Sequence, residues 1–109
     1  MYRAFAVFVF SSTAFFCQTV YANSEELKTL LNRNNCSACH LIDKMKYGPV
    51  LQEVAAKYSG DPSAVERIAA KIKSGGSGVW GEDMMPPQPN VSDADAKKMA
   101  ELILKLEPK

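Results

Sequence analysis

Cys36-Ser37-Ala38-Cys39-His40 holds most of the reactive side-chain chemistry of this 109-residue chain, which has three cysteines and a single histidine. C-x-x-C-H is the attachment signature of c-type haem. The two thiols add to the haem vinyl groups as thioethers, and the two-residue gap sets the sulfurs at the right reach along the porphyrin edge. His40, directly after Cys39, then lies beneath the iron as proximal ligand through one ring nitrogen. Competing chemistries fail on inventory. A structural zinc site wants four Cys or His ligands. Cys17 falls in an apolar N-terminal stretch, so only Cys36, Cys39 and His40 remain. A thioredoxin-like C-x-x-C needs a βαβ setting, and no segment here has a convincing strand period.

The sixth iron position must be filled from elsewhere in the chain. With one histidine, a bis-His site within the chain is excluded. Thioether sulfur is the other common choice, and a Met/His pair raises the reduction potential. The candidates are Met45, Met84, Met85 and Met99. Met99 fits the buried stripe of a helix and reads as core filler. Met45 is too near His40 in sequence to cross easily to the opposite haem face. Met84 and Met85 precede Pro86-Pro87, whose rings fix the backbone and can hold a ligand without a helix.

The elements that must position these residues read as helices and loops. Met1-Tyr2-Arg3, the apolar stretch Ala4–Phe16 and Val20-Tyr21-Ala22 make up a signal peptide cut after Ala22. The apolar stretch is short for a membrane span, which needs about 20 residues. Asn23 or Ser24 then caps a helix with Leu27, Leu30 and Leu31 on one face, ending near Asn34 or Asn35, because Asn tolerates the left-handed conformation. A loop over 41–48 closes on Gly48-Pro49. A short helix follows from Pro49 or Val50 to Tyr58. Asp61-Pro62 starts the next, with Val65, Ile68, Ala69 and Ile72 at helical spacing, and Ser74-Gly75-Gly76 ends it. Residues 79–91 are irregular. Ser92 opens the last helix, whose buried face is Ala96, Met99, Ala100, Ile103 and Leu104 and whose end is Pro108.

Two domain segments result, a removed leader over 1–22 and one small domain over 23–109. Losing the leader takes Arg3 and no acid, leaving 12 basic and 12 acidic side chains. That balance gives no hint of a nucleic-acid partner. All five phenylalanines go with the leader, and Tyr47, Tyr58 and Trp80 are the remaining aromatics. A domain this small is marginal even with a good core, so haem must complete the interior. Lys44, Lys46, Lys97 and Lys98 read as solvated surface.

At this point the chain resembles a small class I monohaem cytochrome c of the bacterial c-551/c-552 type. The resemblance covers about residues 25–106. It rests on Cys36–His40, Gly48-Pro49, Gly78-Val79-Trp80-Gly81 and Met85-Pro86-Pro87, with a helix closing the chain. It implies an all-α fold of four short helices around one covalent haem c, with Met85 rather than Met84 as the distal iron ligand. It further implies that the Pro49 carbonyl accepts from the free ring nitrogen of His40 and that the Trp80 N–H meets a haem propionate. Lys71 contacts a propionate, and Gln88, or Asn90 if Pro89 shifts the loop, bonds the methionine sulfur. The implied function is one-electron transfer with no bond made in a substrate, by a periplasmic monomer. Its implied partners are a quinol-oxidising complex upstream and a terminal oxidase or nitrite reductase downstream. A subunit of a larger membrane-associated redox complex is the alternative, and a haem sensor or peroxidase-like enzyme the further one.

Overall fold

The computed structural model describes residues 15–108. Four α-helices follow in chain order: α1 (Phe15–Arg33), α2 (Leu51–Lys57), α3 (Ala64–Ser74) and α4 (Asp93–Leu104). A single 3-10 turn, Cys36–Ala38, separates α1 from α2. The described residues hold no named strand. Their one isolated bridge pairs Gly76 with Met85. The fold is all-α.

Helix α4 is the hub. Helices α1, α2 and α3 each pack on it rather than on one another. Its stripe explains why: Ala96, Met99, Ala100 and Ile103 recur at helical spacing and are buried, with Leu102 beside them. Leu104, expected on that face, is only half-buried. Leu27, Leu30 and Leu31 of α1 bury the facing stripe, and Leu51, Val54, Ile68 and Val91 complete the core. Ser92 caps α4, its hydroxyl accepting from Asp95 N–H at 3.1 Å. That helix ends at Leu104 with Lys105 as its cap, short of Pro108.

Three helix starts also depart from the sequence expectation. Helix α1 runs unbroken through Asn23 and Ser24 from Phe15. No Gly or Pro stands between 15 and 24, and extending an existing helix costs less than starting one. The first part of the expected leader, residues 1–14, lies outside the described residues. Helix α2 begins at Leu51, because Leu51 and Gln52 N–H groups are satisfied by the Leu41 and Ile42 carbonyls at 3.1 Å each. Helix α3 begins at Ala64 rather than at Pro62. Asp61 Oδ1 accepts from both the N–H and the hydroxyl of Ser63 at 2.8 Å, closing a side-chain turn that delays the helix. Among the described residues, no helix is long and apolar enough to cross a membrane.

Candidate haem site

The Cys-x-x-Cys-His segment starts where α1 stops. Asn35 adopts φ 59°, the left-handed conformation that turns the chain off the helix axis. The 3-10 turn follows, and the Cys39 and His40 N–H groups both donate to the Cys36 carbonyl, at 3.1 and 2.9 Å. Lys46, read from sequence as solvated, donates through Nζ to the Ser37 carbonyl at 3.0 Å. The Gly48 N–H donates to the Cys39 carbonyl at 2.7 Å. These bonds fold loop 41–48 back over the motif.

No disulfide joins Cys36 and Cys39, and both are half-buried. Burial pushes the Cys36 thiol above its ordinary value, and the neighbouring Cys39 adds in the same direction. His40 Nδ1 lies 3.1 Å from the Pro49 carbonyl oxygen. A carbonyl only accepts, so Nδ1 carries the proton and Nε2 keeps its lone pair for a metal. Gly48 packs flat on the imidazole, and a Cβ there would overlap the ring. Sequence reasoning reads Gly48 as turn punctuation; the structure makes it the floor on which His40 rests.

Cys36, Cys39 and His40 line a cavity of about 370 Å³ that opens to solvent. Its walls include Leu31, Leu51, Val54, Ile68, Met99 and Ile103, drawn from all four helices. Met45, Met84 and Met85 also line it. Met84 is 61% exposed and Met45 70%, whereas Met99 is almost wholly buried in the core. Met85 is half-buried and is the methionine fixed by main-chain pairing. It exchanges two backbone hydrogen bonds with Gly76, each 2.9 Å. The Gln88 N–H donates to the Lys73 carbonyl at 2.8 Å, closing the same neck. Sequence reasoning takes Gly75-Gly76 as a helix stop and misses this second task; the signal was two glycines one loop-length before a methionine.

Trp80 lines the cavity mouth, 42% exposed, and Lys57 Nζ sits 5.4 Å from its ring centroid, a cation–π pair that sequence spacing did not show. Lys71 lines the cavity beside Gly76. Gln88 lines it too, but its side-chain amide donates to the Pro86 carbonyl at 3.2 Å rather than to a methionine sulfur.

An apolar slot with two thiols, one imidazole of fixed tautomer and thioether sulfur on its wall fits an iron porphyrin held covalently. The donor set does not suit a structural metal ion: no group of three or more Cys, His, Asp or Glu side chains among the described residues is placed to hold one.

Comparison with known proteins identifies related chains. The family model described as cytochrome c matches residues 24–107. Cytochrome c-552 of Nitrosomonas europaea is 52% identical over 77 residues, covering 71% of this chain and 75% of that protein. Cytochrome c-551 of Azotobacter vinelandii is 49% identical over 75 residues, covering 69% and 90%. The crystal structure of wild-type Nitrosomonas europaea cytochrome c552 superposes with a TM-score of 0.72 at 50% identity, covering 73% of this chain and 99% of that one.

Proposed function

The chain belongs to the cytochrome c family and is a small electron carrier with covalent haem c, and from that premise we propose that it shuttles single electrons between respiratory proteins in the periplasm. The mature form in this reading is residues 23–109, released by cleavage after Ala22. The donor is a quinol-oxidising complex, and the acceptor a terminal oxidase or nitrite reductase.

The observation that carries the reading is the His40–Pro49 pair on the wall of the same cavity as the tethered Met85. In this reading the Cys36 and Cys39 thiols would hold the porphyrin as thioethers, and His40 Nε2 and the Met85 sulfur would bind its iron. Bound haem supplies an iron that alternates between Fe(II) and Fe(III). The chain's own part is to keep both ligands still through that change. Pro49 fixes the imidazole's tautomer and rotation, Gly48 supports its face, and the Gly76 bridge fixes the methionine backbone. Fixed ligands leave no open coordination position for a substrate, so the protein carries electrons and is not an enzyme. In this reading Trp80 and Lys71, both lining the cavity, receive the propionates.

The test combines mass and spectroscopy of exported protein. The expected mass is residues 23–109 plus one haem with no titratable thiol. The expected spectra are low-spin in both oxidation states, with no carbon monoxide bound by the reduced form. Rapid carbon monoxide binding or peroxide turnover would mark an open iron site and overturn the carrier reading.

A further inference from the structure

The loop that carries Met85 leaves and re-joins the fold at one point, the C-terminal end of α3. Gly75 closes that helix, is buried, and has φ 64° and ψ −151°, a conformation that residues with a side chain enter only under strain. Met85 and Pro86 run directly against it. A Cβ on Gly75 would overlap the Met85 carbonyl oxygen and would stand 2.8 and 2.9 Å from the Pro86 carbonyl carbon and oxygen. These are main-chain atoms and cannot rotate aside. The hydrogen bonds of Gly76 with Met85 and of Gln88 with Lys73 then lock the close approach.

We infer that Gly75 is a positioning residue for the distal ligand: its missing side chain sets the depth at which the Met85 backbone docks, and hence where the thioether reaches in the cavity. This rests on the reading of Met85 as axial ligand. Two other glycines separate crowding from strain. Gly76, at φ 125°, would bring a Cβ against Lys71 Nζ alone, at 3.0 Å, and that flexible amine can swing away. Gly60, at φ 79°, has open space where a Cβ would go and does not line the cavity. Alanine at Gly60 therefore carries the strain of a positive φ without touching the ligand loop.

The experiment uses haem-loaded protein in five forms: unaltered, Gly75→Ala, Gly76→Ala, Gly60→Ala and Met85→Ala. Two quantities are read, the near-infrared band of sulfur–iron bonding in the oxidised protein and the affinity for added imidazole. Gly75→Ala should lose much of the band and bind imidazole at least about tenfold more tightly, because affinity rises with the fraction of molecules whose distal position is vacated. Gly76→Ala should shift both in the same direction and less. Gly60→Ala should change neither, though its thermal midpoint falls. The inference is overturned if Gly75→Ala matches the unaltered protein in both readings, or if Gly60→Ala weakens the ligand equally. Should Gly75→Ala not be recovered folded, Gly76→Ala decides: a weakened band supports the inference, and an unchanged one overturns it. A band that survives Met85→Ala would instead sink the ligand assignment, and this inference with it.

Discussion

Arg33, the last residue of α1, holds Asp95 in the first turn of α4 through one guanidinium nitrogen placed 2.7 and 2.8 Å from the two carboxylate oxygens. Asn34 adds a third hydrogen bond to the same carboxylate at 3.2 Å. The contact pins the two helices beside the point where the chain turns into Cys36. The Arg33 hydrogen bond, and then that of Asn34, hold the Asp95 carboxyl below its ordinary value of 3.8. Asp93 is lowered likewise by Lys73, and Asp61 by Ser63 and then Arg67. Because the folded values lie below the unfolded ones, the stability these groups contribute is present above about pH 4 and is lost as pH falls through the lowered values. Unfolding midpoints of the holoprotein and of Asp95→Asn across an acid series check this. The variant should lose less stability between pH 4 and pH 2 than its parent, and equal losses would contradict the assignment.

The two adjacent methionines should behave oppositely. Met85 is half-buried and bridged to Gly76, whereas Met84 is mostly exposed. Met85→Ala should abolish the near-infrared sulfur–iron band and lower the potential, since thioether ligation favours Fe(II). Met84→Ala should leave both nearly unchanged. Voltammetry and oxidised-state spectra of the pair would decide it, and exchanged behaviour would place the ligand one residue earlier.

Gly48→Ala should act on the proximal side. Its Cβ would overlap the His40 ring, so the ring or the loop must move. Overpacking of this kind typically costs about 1–3 kcal/mol. Denaturant unfolding of the oxidised protein should show a loss in that range with the visible spectrum still low-spin. A loss below about 0.5 kcal/mol, the size of an ordinary surface change, would mean that the loop yields freely.

Without haem the domain should not hold a native core. The cavity walls come from all four helices, and the aromatic residues beyond residue 22 are only Tyr47, Tyr58 and Trp80. Cys36→Ala/Cys39→Ala protein purified without haem should bind hydrophobic dyes and melt without a sharp transition. Cooperative melting with full helix content would show that the polypeptide supplies its own core.

The helical stripes on α1 and α4 were legible in the sequence because apolar spacing reports directly on a buried face. Ser92 was legible as a cap because its hydroxyl acts on a neighbour three residues away. Helix starts were less so. Leu51 starts α2 because carbonyls from residues 41 and 42 reach it, and Asp61 spends its side chain on Ser63 instead of opening α3 directly. At the site, C-x-x-C-H announces itself within five residues. The roles of Gly48 and Gly75 do not, because each depends on what packs against a missing side chain, and local spacing carries no record of that. Lys57 above Trp80 is hidden for the same reason: the partners are distant in sequence and meet only once the chain is folded.

The paired hydrogen bonds between Gly76 and Met85 divide the intervening stretch into a neck and a tip. Within the tip, Gly78 N–H donates to the Gly81 carbonyl at 2.8 Å, so Trp80 sits in its own small turn. Residues 82–84 are exposed and lie between that turn and the neck. Lengthening a loop adds little closure entropy once its ends are fixed. Extra residues placed between Glu82 and Asp83 would therefore bulge outward and leave the ligand's backbone where it is. This is a place in the chain where a peptide tag, a surface-attachment cysteine or a partner-recognition sequence could be grafted within a few residues of the cavity while the Met85 backbone stays tied to Gly76.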